Sequence, residues 1–359
     1  MPDLPDPSRL ACPLPRTDGD RILLGHGSGG RLTADLIDRL FLPAFRNDTL
    51  AALEDQAVLP WGEGAPGGAA PRLAFTTDAF VVRPLFFPGG DIGSLAVHGT
   101  VNDLAVGGAV PLYLSAAFVL EEGLPMADLE RIVASMGQAC DRAGVALVAG
   151  DTKVVDRGGA DGVFITTSGV GRVPAGRALS IRNARPGDRV LVSGTIGDHG
   201  VAVLSVREGL EFDTVLESDS APLHDLARAV LHAGPSTRCM RDPTRGGLSA
   251  ALNELAAASE VGVRIEEAAI PVRPEVAAAC ELLGLDPLYV ANEGKLIAVV
   301  PPAEADAVLA ALRADPLGRD AAVVGEVVAA DPGRVVLRSV VGGERVVPTL
   351  AGEQLPRIC

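Results

Sequence analysis

Three aspartates stand at the ends of apolar segments of this sequence, where their carboxylates could hold a metal ion. Asp78, Asp103 and Asp151 occur in the strings TTDAF, VNDLA and GDTK. Such carboxylates gather at one edge of a sheet, and Mg2+ needs only a few of them beside phosphate oxygens and water. A fourth candidate, Asp242, precedes Pro243, where capping of a following helix is the alternative role. Together the four acids suggest a magnesium site.

Glycine-rich strings at three places could bind the phosphates of a nucleotide. They are HGSGG, which ends at Gly30, GDHG around His199, and DPTRGGL, which contains Gly246. Glycine lets main-chain N–H groups approach an anion, and a helix N-terminus adds a favourable dipole. The sequence contains neither GxxxxGK[ST] nor GxGxxG after a strand. A Walker-type NTPase is therefore excluded as a motif match, and a dinucleotide-binding fold is disfavoured.

Lysine is almost absent from the sequence, which makes its two occurrences candidates for chemistry. Of 31 basic residues, only Lys153 and Lys295 are lysines. Lysine offers a compact ammonium whose pKa can shift, which arginine does not. Chance survival in an arginine-rich sequence is the alternative explanation for both residues.

The five cysteines are odd in number and lack CxxC spacing. This pattern disfavours a disulfide framework and a zinc knuckle. Cys140 and Cys280 fall on the apolar faces of predicted helices, so we expect them to be core thiols. Cys12 and Cys239 have no predicted role, and Cys359 ends the sequence in the string PRIC.

Composition and charge indicate a folded protein that does not bind nucleic acid. Hydrophobic residues make up 48% and charged residues 21%, and the net charge is −15. Because an acidic surface repels phosphate backbones, a nucleotide would need a local site of glycine amides and metal. The sequence shows no secretory signal, and its longest uncharged stretch, 104–120, is too rich in Gly, Pro and Ser for a membrane span. We therefore expect a soluble, cytoplasmic protein.

Apolar periodicity predicts alternating strands and helices. Helices are expected after the first glycine string, around 129–140, and at 94–106, 198–208, 223–233, 245–258 and 303–313. Strands are expected at 73–77, 113–120, 145–149, 163–170, 190–193, 296–300, 323–327 and 334–337. Ser94 is the expected N-cap of the helix 94–106. The strand 145–149 is expected to end before Gly150-Asp151-Thr152-Lys153.

The length of 359 residues suits two domains. We predict a mobile N-terminus at 1–21, domains at 22–172 and 173–348, and a flexible tail at 349–359. The string RPGD at 185–188 is expected to be a turn between the domains. Both domains mix helices and strands, so the predicted class is α+β, with two α/β domains.

Several longer strings occur together in one known family. They are HGSGG, TTDAFVVRPLFFPGGDIG, GTVNDLAVGGAVP, GDTKVV, SGTIGDHG, REGLEF, DPTRGGL, IPV, ANEGK and the terminal PRIC. Through them the chain resembles the HypE hydrogenase-maturation proteins from about Ile22 to Cys359. The block from TTDAF to GGAVP and the PRIC end are highly specific, whereas the glycine pairs are not. HypE belongs to the superfamily of aminoimidazole-ribotide synthetase, selenophosphate synthetase and thiamin-phosphate kinase.

The resemblance implies a fold of two PurM-like α/β domains, a homodimer formed by the N-terminal domains, and ATP and Mg2+ bound between the domains. It implies that the HypF carbamoyltransferase loads Cys359 with a carbamoyl group. The chain would then use ATP to dehydrate this S-thiocarbamate to a thiocyanate. The HypC–HypD complex would receive the cyano group on iron for the [NiFe]-hydrogenase centre.

The resemblance also implies a ligand set for metal and nucleotide. Asp78, Asp103 and Asp242 are similar to the magnesium ligands of the superfamily. The implied nucleotide contacts are Gly29, Gly30, Asp78, Asn102, Gly150, Asp151, Thr152, Lys153, Arg245 and Gly246.

Four residues are candidates for the chemistry itself. Cys359 would carry the carbamoyl group, and Lys153 could neutralise phosphate charge. Glu293, in the string ANEGK, is the expected base for the amide nitrogen, provided that burial raises its pKa. Lys153 or His199 could relay the proton.

Three other functions compete with this hypothesis. Selenophosphate synthetase is disfavoured because HGSGG contains no cysteine and no lysine precedes Lys153. Aminoimidazole-ribotide synthetase gives no reason for a terminal cysteine. A non-catalytic ATP-binding scaffold that presents its tail to partners would leave a carbamoylated Cys359 unchanged when Mg-ATP is added.

Overall fold

The computed structural model describes residues 21–45, 47–62, 70–209, 216–350 and 357–359. The predicted mobile N-terminus lies outside the described residues except for Arg21, and Cys12 lies outside them as well. The described chain contains two main sheets, one in each half.

The N-terminal half is built around a five-stranded sheet. Its order is β1-β2-β7-β5-β6, antiparallel except for the parallel pair of β5 and β6. The helices are α1 (Arg31–Leu36), α2 (Leu42–Phe45), α3 (Ile92–Val106) and α4 (Met126–Ala143). The strands are β1 (Ala57–Pro60), β2 (Arg72–Phe80), β3 (Phe86–Phe87), β4 (Gly90–Asp91), β5 (Val110–Glu121), β6 (Ala146–Val155) and β7 (Val163–Val173).

The C-terminal half is built around a seven-stranded sheet. Its order is β14-β13-β10-β12-β8-β11-β9. The helices are α5 (Asp198–Glu208), α6 (His224–Ala233), α7 (Gly247–Ala258), α8 (Pro274–Leu283) and α9 (Ala305–Ala314). The strands are β8 (Arg189–Val192), β9 (Cys239–Arg241), β10 (Gly262–Glu266), β11 (Ile297–Val300), β12 (Ala322–Val328), β13 (Val335–Arg338) and β14 (Glu344–Val346).

Helix α3 joins the two halves, because it is buried on almost every side. Its first turns pack into the N-terminal core with Ile92 and Leu95, whereas Ala105 and Val106 belong to an apolar cluster of the C-terminal half. A helix that is hydrophobic all round is a core helix. Asp103, in its last turn, therefore lies at the junction of the two halves.

Helix periodicity predicted the helices closely, but two expected N-caps are wrong. Helix α3 is capped by Asp91, whose carboxylate accepts hydrogen bonds from the main-chain N–H groups of Gly93 and Ser94. The Ser94 hydroxyl completes the capping box from inside the helix. Helix α7 begins at Gly247 with Gly246 as its N-cap, so Asp242 does not cap it and its carboxylate is available for other contacts.

The GDTK string is also placed differently from the prediction. The expected strand 145–149 continues through Gly150, Asp151, Thr152 and Lys153 to Val155. The reason is that these residues keep pairing with β5, in a register that opposes Ala117 to Asp151. Strand β6 is an edge strand, and GDTK is exposed along it.

The predicted turn at 185–188 is confirmed. The main-chain N–H of Asp188 donates to the carbonyl oxygen of Arg185 over 3.0 Å, and β8 follows directly. Within the described parts of the chain, none of the helices is both long and apolar enough to cross a bilayer.

Candidate active site between the two halves

A cavity of about 800 Å³ lies between the halves and is lined by acidic and glycine residues from both. The N-terminal half contributes the glycine loop, α1 and the segment around Asp55, and the C-terminal half contributes the segment before α7 and α7 itself. Among the predicted site residues, the cavity is lined by Gly29, Gly30, Asp78, Asp103, Asp242 and Arg245.

Carboxylates from three segments meet in this cavity. Asp55, Asp103 and Asp242 each offer an oxygen, and these atoms lie within 4.8 Å of one another. The Thr76 hydroxyl donates to Asp103 Oδ2 over 2.6 Å, and Arg241 Nη1 lies 2.9 Å from Asp55 Oδ1. Oxygen ligands at this spacing suit a hard divalent cation such as Mg2+.

Burial and mutual repulsion disfavour the ionised form of several carboxylates in this cluster. Burial, followed by the neighbouring Asp78, Asp242 and Asp55, raises the pKa of Asp103 well above its ordinary value. Burial also raises the pKa of Asp78 and of Asp242. A bound cation would relieve the repulsion and favour the ionised carboxylates. The donor set therefore fits Mg2+.

Asp55 is a site residue that the sequence analysis missed. It lies two residues before β1, a four-residue strand that no periodicity indicated. The available signal was weak: an acidic pair, Glu54-Asp55, stands beside the short apolar run AVLP.

The glycine loop is held against the C-terminal half at the mouth of the cavity. The carbonyl oxygen of Leu350 accepts a 2.9 Å hydrogen bond from the N–H of Arg31, and a Cβ on Gly30 would lie 2.6 Å from that oxygen. Arg245 Nη1 donates to the carbonyl oxygen of Gly27 over 2.9 Å. Gly29 has a φ of +74°, which favours glycine. The loop therefore needs glycine for close approach as well as for its backbone conformation.

Asn102 does not line the cavity, and its role as a nucleotide contact stays a prediction. Its amide is buried and used internally: Nδ2 donates to the carbonyl oxygens of Ala221 and Glu293, and Oδ1 accepts from the N–H of Leu223. Asn102 therefore fixes the main chain at Glu293.

Glu293 is buried beside the carboxylates without lining the cavity. Burial, followed by repulsion from Asp242, Asp219 and Asp78, raises its pKa well above the ordinary value. Its Oε1 has no hydrogen-bond partner among the described residues. Asp219 Oδ1 accepts from its main-chain N–H over 3.0 Å. Glu293 was expected to act as a base provided that burial raises its pKa, and this condition is met. A carboxyl group with a raised pKa binds a proton strongly.

The last three residues are docked on the protein, whereas the sequence predicted a flexible tail. His199 Nε2 lies 2.7 Å from the carbonyl oxygen of Ile358, and the side chain of Ile358 is buried. The N–H of Val81 donates to the main-chain oxygen of Cys359 over 3.1 Å. Val81, to which Cys359 is hydrogen-bonded, lies three residues after Asp78, a span of about 10 Å in extended chain. His199 therefore contacts the tail, and residues 351–356 lie outside the described residues.

The two lysines have different surroundings. Lys295 Nζ lies in a buried ion pair 3.0 Å from Asp219 Oδ2 and 3.9 Å from Asp198 Oδ2. Lys153 is exposed on β6, where its Nζ lies 2.9 Å from Asp151. Within one chain, Gly150, Asp151, Thr152 and Lys153 therefore stand apart from the cavity. Their role as nucleotide contacts stays a prediction.

The chain matches two family models that together cover most of its length. Residues 53–173 match the N-terminal domain of AIR synthase related proteins, and residues 185–338 match their C-terminal domain. The curated carbamoyl dehydratase HypE of Cupriavidus necator is 60% identical over 339 residues, which cover 94% of this chain and 95% of that protein. The chain belongs to the HypE family.

Solved HypE structures share this fold. A structure described as a HypE-HypF complex contains a chain with a TM-score of 0.82 and 47% identity, and the match covers 88% of this chain and 99% of that one. A structure of HypE in complex with ATP has a TM-score of 0.78 and 50% identity, over 94% and 100% of the two chains. The predicted HypE family and the fold of two PurM-like domains are both confirmed.

The buried cysteines of this HypE protein behave as core residues. Cys140, Cys239 and Cys280 are buried, and burial raises the pKa of each thiol. The expectation of core thiols is confirmed for Cys140 and Cys280. Cys359 is half-buried, which leaves its thiol more accessible than theirs.

Proposed function

We propose that this HypE protein dehydrates a carbamoyl group carried on its own Cys359, with ATP as the activating substrate, and so forms a protein thiocyanate. The observation that carries the proposal is the docking of the last three residues on His199, which shares its neighbour Asp219 with the buried Glu293. The ATP complex of a HypE relative supports the choice of nucleotide.

The first step converts the amide oxygen into a leaving group. The carbamoyl oxygen attacks the γ-phosphorus of ATP, the bond from that phosphorus to ADP breaks, and ADP leaves. Such a transfer depends mainly on positioning and charge neutralisation. Asp103 and Asp242, both predicted ligands, would hold Mg2+ together with Asp55, and the third predicted ligand, Asp78, lines the same cavity. Bound Mg2+ would neutralise phosphate charge. The glycine loop and Arg245 line the space where the phosphates would lie.

The second step removes a proton from nitrogen while phosphate departs. Glu293, in its ionised form, takes one N–H proton as the C–O bond to the phosphoryl group breaks and the C≡N bond forms. The other N–H proton is released when the oxygen is phosphorylated, and the proton taken by Glu293 passes to the departing phosphate, which leaves as hydrogen phosphate. Burial makes Glu293 a stronger base than an exposed glutamate and keeps water away from the intermediate.

Partners would supply the carbamoyl group and accept the cyano group. The HypE-HypF complex of a relative supports HypF as the carbamoyl donor. The HypC–HypD complex is the proposed acceptor, on the iron destined for a [NiFe]-hydrogenase. This role in hydrogenase maturation accords with the curated HypE relatives.

A homodimer through the N-terminal sheet is part of the proposal. Strand β6 leaves one edge without a partner strand in the described chain, and Val148 and Val154 are 62% and 67% exposed along it. Exposed apolar edge strands are prone to pair with another chain. Pairing there would also give the exposed GDTK residues a protein environment, as their predicted contact with nucleotide requires.

The proposal is tested by Cys359→Ala in the full chain. This variant removes the carrier atom and leaves the cavity residues untouched. It should fold, retain ATP binding measured by calorimetry, and give no cyanated species with HypF, a carbamoyl source and ATP. Wild-type levels of cyanation in this variant would refute the proposal.

A further inference from the structure

The last three residues lie beside the chain that follows β2 and are hydrogen-bonded to it through the main chain. The N–H groups of Val81 and Arg83 donate to the main-chain oxygens of Cys359 and Arg357, each over 3.1 Å. The two chains run antiparallel, since the donor number rises as the acceptor number falls. Main-chain hydrogen bonds to a bound peptide provide affinity and leave side-chain pockets to provide specificity.

Ile358 occupies an apolar pocket. Its side chain is 3% exposed and belongs to the cluster that contains Phe80, Val82, Phe87 and Val203. Arg357 and Cys359 are less buried than Ile358, and Arg357 has a left-handed φ of +55°. A polar residue at 358 would lose this burial.

Arg357 makes polar contacts through both its side chain and its main-chain carbonyl group. Its guanidinium pairs with Asp161, whose side chain is 24% exposed. Arg207 Nη2 donates to the carbonyl oxygens of Arg83 and Arg357 over 2.6 Å each, and so fastens the two paired segments together. Charge-assisted hydrogen bonds of this kind are stronger than neutral ones.

Asp161 is positioned by an organised turn between β6 and β7. The Glu121 carboxylate accepts hydrogen bonds from the N–H groups of Gly158 and Gly162, over 2.6 and 2.9 Å. These main-chain donors hold the pKa of Glu121 below its ordinary value. Gly158 and Gly162 have φ values of +84°, which the turn requires. The turn presents Asp161 to Arg357 in a fixed place.

His199 is hydrogen-bonded to the main chain of the tail at Ile358. The Ile358 carbonyl can only accept, so His199 Nε2 carries the proton and donates to it over 2.7 Å. Nδ1 then accepts from the Ser218 hydroxyl over 2.8 Å. Burial lowers the pKa of His199, which keeps this neutral tautomer.

We propose that this groove is a sequence-specific peptide-binding site, in which Asp161 selects the arginine two residues before the carbamoylated cysteine and the apolar pocket selects the aliphatic residue between them. Its ligand class is a peptide end with a basic residue, an aliphatic residue and the modified cysteine in that order. The proposal deepens the proposed function and rests on it for the identity of the modified cysteine, and it makes Asp161 a specificity-determining residue outside the cavity.

The test measures docking of the tail without ATP or a carbamoyl group. Iodoacetamide should alkylate the half-buried Cys359 faster when the tail is undocked than when it is docked, and mass spectrometry of the C-terminal peptide gives the rate. Asp161→Asn and Arg357→Gln should each raise the rate about three- to tenfold. The double variant should match Asp161→Asn, which removes the pair with Arg357 together with the 3.9 Å contact of Arg83 with Asp161, because the Arg357 pair is lost in both. Exchange of the Val81 and Arg83 amide hydrogens should accelerate in parallel.

Asp156→Asn, at an exposed aspartate in the same turn, is the matched control and should leave the rate unchanged. Unchanged alkylation and exchange in Asp161→Asn would overturn the proposal, as would a double variant whose effect is the product of the single effects. Arg357→Gln keeps the test decisive if the Asp161 variant folds poorly, because it changes only the tail. Since no nucleotide is present, failure here would leave the dehydration reaction itself untouched.

Discussion

At the scale of residues, the same side chain acquires different chemistry from its surroundings. Asp103 lies in a buried cluster of carboxylates, where burial and like charges raise its pKa well above the ordinary value. Asp151 is exposed, and its contacts with Lys153 and the N–H of Thr152 lower its pKa. The sequence placed both at the ends of apolar segments. Only the fold separates a metal-ligand environment from a surface ion pair.

Replacing Asp103 should therefore separate metal binding from stability. Asp103→Asn removes one buried like charge, so the metal-free protein should melt higher by roughly 2 °C, the shift that ~1 kcal/mol gives a chain of this size. Stabilisation by Mg2+ should fall sharply, because a ligand is lost. Thermal melts with and without Mg2+ measure both effects.

Asp151→Asn is the matched control for that experiment, since it alters an exposed aspartate outside the cavity. It should leave the response to Mg2+ intact. An Asp103→Asn protein that Mg2+ stabilises as strongly as the wild type would show that the cluster is not the metal site.

Glu293 should be the base of the second step. Glu293→Gln keeps the size of the side chain and removes its basicity, so the single-turnover dehydration rate should fall by ~10²–10⁴-fold. In the wild type the rate should rise with pH through the raised pKa of Glu293, because only the ionised form accepts a proton. The variant should lack that rise.

Glu281→Gln, on an exposed position of α8, serves as the control and should keep both rate and pH profile. If Glu293→Gln reacted at the wild-type rate with the same pH dependence, another group would have to be the base. ATP binding should survive in both variants, since neither residue lines the cavity.

At the scale of elements, strand β6 has the surface of an interface. Val148→Asp would place a charge on its exposed edge, so the proposed dimer should dissociate to a monomer in sedimentation velocity runs. Dehydration should decline as well, because the GDTK residues would lose their protein environment. Val341→Asp, at a residue 90% exposed in the C-terminal half, should leave both unchanged. A dimeric Val148→Asp protein would place the interface elsewhere.

The elements also show what a sequence can predict. Helices such as α5 were predicted at their observed bounds, since apolar residues recur with the helical period. The short strands β1, β9 and β10 were not predicted, whereas β8, β11 and β13, which have four residues each, were. The cap of α3 was misplaced by three residues, because Asp91 and Ser94 form a reciprocal box and either could begin the helix.

Distinctive strings in the sequence identified much of the candidate site, but they did not show which contacts each residue makes. Asp78, Asp103, Asp242 and Glu293 stand in distinctive strings, so they were identified before their positions were known. Asn102 stands in such a string too, yet its amide is used to hold the main chain at Glu293. The contacts of Asp55, and those of Asp161 with Arg357, join segments distant in sequence, and no local pattern encodes them.

At the scale of the whole molecule, two halves form the cavity and the end of the chain returns to the junction region. The N-terminal half supplies Asp55, Asp78 and Asp103 to the cavity, and the C-terminal half supplies Asp242. The C-terminal half also contains Glu293 and His199, and His199 binds the tail. Helix α3 fixes the halves relative to each other through its buried length. A reaction between a nucleotide and a group on the tail therefore requires the assembled chain.

The most direct measurement is the mass of the Cys359 peptide from carbamoylated protein before and after Mg-ATP is added. The account predicts that this peptide loses one molecule of water, with one ADP formed for each group converted, and that Glu293→Gln protein keeps its carbamoyl mass. A wild-type peptide whose carbamoyl mass stays the same while ATP is bound would contradict the account, because the protein would then only present its tail.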